Sequence, residues 1–206
     1  MGLISNGTTL LDAGALDSGV ATGAMTLIKT LTLGSAAASI SFVDGASNVV
    51  FDGTYKEYVF KFINIHPNTD GADYTFNVSI DGGSNYNVSK TSTQFNARQS
   101  EGDSTGFSYI SGNDLAQGTG FQIIGDGVGG GVADECLVGT LQIFDVASTT
   151  KVKHYTSIVN NYRTNDDTYN VFTGGYANTT SAVNAIQFKF SSGNTDSGII
   201  KMYGIS

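Results

Sequence analysis

From Met25 onward, short runs of β-branched and aromatic residues recur about every ten to fifteen residues, and Gly, Asn, Asp or Ser closes most of them. That rhythm limits the fold more than any other feature. An amphipathic helix needs apolar residues three and four apart over ten or more positions, whereas these runs alternate with a period of two and then stop. DYTFNVSI sets Tyr74, Phe76, Val78 and Ile80 on one face. YKEYVFKFINIH sets Tyr58, Phe60 and Phe62 on one face and Val59, Ile63 and Ile65 on the other, which predicts a central strand covered on both sides. MTLIKTLTL, GFQII, ECLVGTLQIFDV, TKVKHYTSIVNNY, YNVF, NAIQFKF and GIIKMYGI read as further strands. DGGSN, residues 81–85, reads as a hairpin turn into YNVSKTST, and residues 94–118 offer one short strand, FSYI.

The expected architecture is therefore all-β: an antiparallel, jelly-roll-like β-sandwich over residues 25–206, with Phe60, Phe62, Phe76, Val78 and Phe188 in its core. Residues 1–24 differ in kind. Their apolar side chains follow no period, so they read as an extended N-terminal arm, with Leu10, Leu11 and Leu16 available to pack on a partner.

Charge excludes some roles. Ten Lys and Arg against eighteen Asp and Glu give a net charge of −8, which opposes binding to nucleic acid or to an anionic membrane surface. The nearest approach to a basic cluster, Lys151 with Lys153, reads as a solvated strand face. No run of about 18 apolar residues predicts a membrane span, and the first residues read as neither a secretory signal nor a myristoylation site. A single cysteine, Cys136, rules out an internal disulfide and a thiolate metal cage, and reads as a small buried hydrophobe.

The one pattern with a catalytic look is GDGVGG, in which Gly125, Gly127 and Gly130 have the GxGxxG spacing. A dinucleotide site needs a helix after those glycines to present N–H groups to the pyrophosphate. Here Leu137, Leu141 and Ile143 interleave with Val138, Thr140, Gln142 and Phe144, a strand pattern, so Gly125–Gly131 reads as a flexible connection between strands. His66 and His154 have no metal-ligand spacing and read as hydrogen-bonded structural residues. Asp70 with Asp73, Asp126, and Asp166 with Asp167 fall in expected loops, where Ca²⁺ is conceivable and solvated turns are the plainer reading. Tyr155, Tyr162, Tyr169 and Tyr176 read first as strand packing and second as a binding surface. No catalytic residue, cofactor or metal ligand is expected, and the chain reads as a non-enzyme.

The segments LIKTLTL, YKEYVFKFINIHPNTDGADYTF, ASTTKVKHYTS and, above all, NTTSAVNAIQFKFSSGNTDSGIIKMYGIS resemble a family of virion-associated proteins of marine tailed bacteriophages, over most of residues 25–206. The resemblance implies a β-sandwich particle protein on the outside of the capsid, a decoration or cement protein. Its partners would be the major capsid protein and copies of itself, as a homotrimer. The alternative is a tail-fibre or receptor-binding tip module, mounted on the tail and recognising a host surface glycan.

Overall fold

In a strand, successive side chains point to opposite faces, so a residue's parity decides whether it enters the interior. The computed structural model describes residues 24–206 and, of residues 1–23, only the backbone of three short strands, β1 (Leu3–Ser5), β2 (Thr8–Asp12) and β3 (Ala15–Leu16), which pair antiparallel with one another. The side chains of Leu10, Leu11 and Leu16 lie outside the described residues. The body then runs through β4 (Met25–Thr32), β5 (Ile40–Val43), β6 (Glu57–Pro67), β7 (Ala72–Ser79) and β8 (Lys90–Ser100). It continues through β9 (Thr105–Tyr109), a single 3-10 turn at Ser111–Asn113, β10 (Ala116–Gly118) and β11 (Gln122–Val128). The last strands are β12 (Leu137–Phe144), β13 (Lys153–Arg163), β14 (Asp167–Ala177), β15 (Ala185–Phe190) and β16 (Thr195–Ile205).

All pairings are antiparallel and form two layers. The smaller layer has the order β5-β15-β7-β11. The larger runs β4-β16-β6-β12-β13-β14-β8, with β9 and β10 sharing the far edge of β8. A bridge between Val128 and Arg163 joins β11 to the end of β13 and closes one corner. In chain order β5 lies in the small layer, β6 in the large, β7 in the small, β8 and β9 in the large, β11 in the small, β12 in the large and β15 in the small. That alternation, with β15 returning between β5 and β7, is the jelly roll of two interlocked Greek keys. Two additions widen the large layer: the hairpin β13–β14, set between β12 and β8, and the pair β16–β4 outside β6.

Aromatic rings tie the layers together. Phe188 of β15 meets Phe60 at 5.3 Å and Phe62 at 5.2 Å between ring centroids, and Phe42 of β5 meets Phe60 at 5.4 Å. Phe76 reaches across to Tyr155 of β13 at 5.0 Å. Phe60, Phe62, Phe76, Val78 and Phe188 are all buried, as alternation predicts. Toward β8 the interior turns polar. Gln94 donates to the Ile123 carbonyl at 2.8 Å and to Thr173 at 2.9 Å, and accepts from Asn113 at 2.7 Å. Each buried polar atom so matched avoids a desolvation cost of roughly 1–3 kcal/mol.

Several expectations change. DGGSN does not make a hairpin: β7 and β8 belong to different layers, and residues 80–89 carry the chain across. The Asp81 carboxylate organises that crossing by accepting from Ser79 Oγ at 2.6 Å and from the Asn85 amide at 2.9 Å, hydrogen bonds that lower its pKa to about 2. Ile80, beyond the end of β7, is exposed. Ile65 faces inward and not outward, because a bulge with Asn64 at φ 50° puts Ile63 and Asn64 of β6 opposite Val138 of β12 and reverses the parity. A shift at Met202/Tyr203 does the same in β4, leaving Leu27 exposed while Ile28 and Leu31 touch the core. Residues 94–118 hold three strands' worth of pairing, from β8, β9 and β10.

The sharpest correction concerns lysine. Lys153 is fully buried, its ammonium held by the carbonyls of Ser148, Lys151 and Thr179. Lys90 is also fully buried, bonded to Asn77 Oδ1 at 2.6 Å and to the Val88 carbonyl at 2.9 Å. Alternation assigns a face and cannot reveal that carbonyls wait there.

Phe60→Ala or Phe76→Ala is expected to lower unfolding free energy by about 3–5 kcal/mol in a denaturant series. A second expectation follows from Lys90, whose pKa burial drops from the ordinary 10.5 to about 7. Between those values the unfolded chain binds a proton that the folded chain does not, so this group makes stability rise with pH across that window, with a slope approaching about 1.4 kcal/mol per unit. Below pH 7 the penalty is complete and constant. Lys90→Met should remove this slope, as measured by denaturant titrations at several pH values; an unchanged slope would show that Lys90 is not its source.

Candidate functional site

The glycine run resolves into close packing. Gly125 and Gly127 lie inside β11, not in a connection, which begins only at Gly129. A Cβ on Gly125 would sit 2.5 Å from Leu137 Cδ1. Gly127 has φ +61°, gives its N–H to Asp73 Oδ1 at 2.9 Å, and leaves the space that the Arg163 guanidinium fills. The loop that follows folds on the buried Glu135, whose carboxylate accepts the amides of Gly131 at 2.6 Å and Val132 at 3.0 Å. β12 comes next, so the N–H groups that would receive a phosphate already serve Asp73, Asp70 and Glu135.

The other candidates do not converge. His66 joins the end of β6 to its neighbours, with Nδ1 2.8 Å from Asp196 Oδ1 and Nε2 3.0 Å from the Val132 carbonyl, the structural role expected of it. His154 lies exposed on β13 against the Tyr176 ring at 5.9 Å, not in a hydrogen-bonded interior. Cys136 is half-buried just before β12 and next to Asn64, not inside an apolar strand; burial, then the Asp134 charge, push its thiol pKa up. Asp73 is likewise raised, first by burial and then by Asp126, against the Gly127 hydrogen bond and the Arg163 charge. Asp167 is no solvated turn residue: it is buried at the start of β14 and pairs with Arg98 at 3.2 Å. Among the described residues no group of three or more His, Cys, Asp or Glu is placed to hold a metal. Tyr155 is in the core and Tyr169 lies under Arg163 at 4.3 Å, so the four tyrosines do not share a surface.

What the fold does bring together is an apolar row on the outer face of the large layer. Directly opposed positions run Tyr109–Phe95–Phe172–Ile158–Thr140 across β9, β8, β14, β13 and β12. Phe95 and Phe172 stack at 4.9 Å with 10° between planes, and Phe107 leans on Phe95 at 5.5 Å. Phe107 is 73% exposed, Tyr109 61% and Ile158 50%. The other outward positions of these five strands are mostly Thr, Asn, Gln, Gly and Ala, with Val138, His154 and Tyr176 among them, and none is Lys, Arg, Asp or Glu; Arg98, Glu57 and Lys61 belong to the opposite parity or to the next strand, and the Asp114 carboxylate meets the Tyr109 hydroxyl at the β9 edge. Beside the row, where Gly174 lacks a side chain, a shallow trough of about 410 Å³ is lined by Thr91, Thr93, His154, Thr156 and Tyr176.

No family model matches the chain, and no curated protein or solved structure matches it. The fold and the outer face are therefore the basis for function. Periodicity alone does not reveal this surface, because its apolar members come from four strands, two of them contributing from the stretch 94–118. A signal was present in TSIVNNY, where Ile158 and Val159 are adjacent and so put an apolar residue on both faces.

Equilibrium titration with labelled ATP or NAD is expected to show no saturable binding in the micromolar range. Gly127→Ala should instead lower stability, by about 1–3 kcal/mol, since it combines a positive φ with a collision against Arg163. Nucleotide binding that this substitution abolished would reverse the assignment.

Proposed function

We propose that the protein is a structural component of a bacteriophage virion, a decoration protein that sits on the capsid exterior and works through its surfaces. The observation that carries this reading is the wide uncharged outer face on a jelly-roll body, a shape suited to lying against another protein. The sequence resemblance of residues 25–206 supports the same reading. A protein that binds the assembled shell and not its free subunits stabilises the shell by mass action, and needs no reacting group to do so. Its partners on this reading are the capsid shell subunit and copies of itself, and Leu10, Leu11 and Leu16 of the N-terminal arm are candidates for the contact with the shell.

The tail-tip reading, with a host glycan as ligand, draws on the trough beside Tyr176 and His154. The aromatic row favours decoration over it. Phe95 and Phe172 stack on each other, so one face of each ring is already taken, whereas stacking on a sugar requires a free ring face.

Imaging and protein quantification of particles carrying this chain are the test. A copy number in fixed ratio to the shell subunit, with density on the outer shell, is the expected result. A few copies confined to the tail would select the tail-tip reading, and absence from particles would overturn both.

A further inference from the structure

We infer that the outer face of the large layer is a self-association surface, on which a second copy of this chain docks face to face about a two-fold axis near Ile158. The inference concerns the purified chain and does not depend on the virion reading.

The first argument is electrostatic. Each copy carries a net charge of −8, so two copies repel over most of their surfaces. The outward positions of β9, β8, β14, β13 and β12 carry no Lys, Arg, Asp or Glu, so around Ile158 the face opposes no like charges when it meets itself, with the Asp114 carboxylate set off at the Tyr109 end, and the apolar centre loses water on contact. A basic partner would find no carboxylate row here, and an acidic one no cation. A neutral surface of matching shape is what the face accepts, and a second copy supplies one.

The second argument is size. Four strands at about 4.8 Å over the nine positions 91–99 at about 3.3 Å, with the five residues of β9 added opposite 95–99, give a face of roughly 600 Å². That is about 1,200 Å² over two copies, at the lower end of the range of stable specific interfaces. Two sheets of the same twist pack face to face readily, about 30° from alignment, as the layers of a sandwich do.

The third argument is origin. Two of the five strands are the hairpin β13–β14, which the eight jelly-roll strands do not require, and that hairpin supplies Ile158 and Phe172. Without it the row would lose its centre. Such a contact is isologous, with each row crossing its own counterpart, and it builds a dimer in place of the homotrimer that the resemblance implies.

Sedimentation velocity of the full chain over roughly 1–100 µM tests this, together with Ile158→Glu and Ile158→Lys, each checked for an unchanged far-ultraviolet circular dichroism spectrum and melting curve. Half-exposure of Ile158 makes both changes compatible with folding, and Phe107→Glu is a second probe at the most exposed ring. The wild-type chain should sediment as a dimer. Each variant should weaken dimerisation by about tenfold or more, and an equimolar mixture of Ile158→Glu with Ile158→Lys should recover it. A wild-type chain that stays monomeric overturns the inference, because the face is then left for the N-terminal segment, a glycan or an unrelated protein. An oligomer that is indifferent to all three substitutions, or a mixture that stays monomeric, overturns it as well.

Discussion

The contact of Phe188 with Phe60 and Phe62 holds the two layers in place. β15 enters the small layer between β5 and β7 and pairs with both, and its ring crosses the gap to β6, the strand enclosed by β12 and β16. One side chain thus fixes the return strand of the Greek key against the centre of the opposing sheet. Phe42 and Tyr74 complete the group at 6.3 and 6.1 Å from the same ring. Around it the register of every neighbouring strand is set, because a slip of one residue would send the ring to the wrong face.

Away from those rings the interior is held differently. Between β11 and the β8–β14 side, Gln94, Gln122, Asn113 and Thr173 exchange directional hydrogen bonds, and at the ends of the sheet Lys90 and Lys153 cap carbonyl oxygens. Apolar packing tolerates small shifts, whereas a hydrogen-bonded interior demands one arrangement. The inserted hairpin therefore docks on a seam that admits a single alignment, and its outward residues are held as a fixed surface.

Class and core were legible in the sequence because both depend on period alone. Phe76 and Val78 alternate through β7, and Phe60 and Phe62 through β6, with nothing intervening. Ile65 was assigned to the wrong face because a bulge is written in a backbone angle at Asn64, a residue type that also fits a turn. The DGGSN segment misled for a related reason: turn residues say that the chain reverses, not which layer it enters. The charge of Lys153 suggests exposure, whereas the three carbonyls that satisfy it in the interior come from a distant segment as well as its own. The outer face could not be assembled without knowing that β14 lies between β13 and β8.

The position of β16 bears on how the chain is made. It lies between β4 and β6, and its residues Ile199–Ile205 pair with strands laid down more than 130 residues earlier. Until residue 205 is available, β4 has no neighbour in the body and β6 has one bare edge. Pairings of such long sequence separation are slow to form, because the loop they close must be ordered first. During synthesis the sheet around β6 is therefore closed only after β16 has left the ribosome. Until then the exposed edge of β6 is the point at which nascent chains would pair with one another.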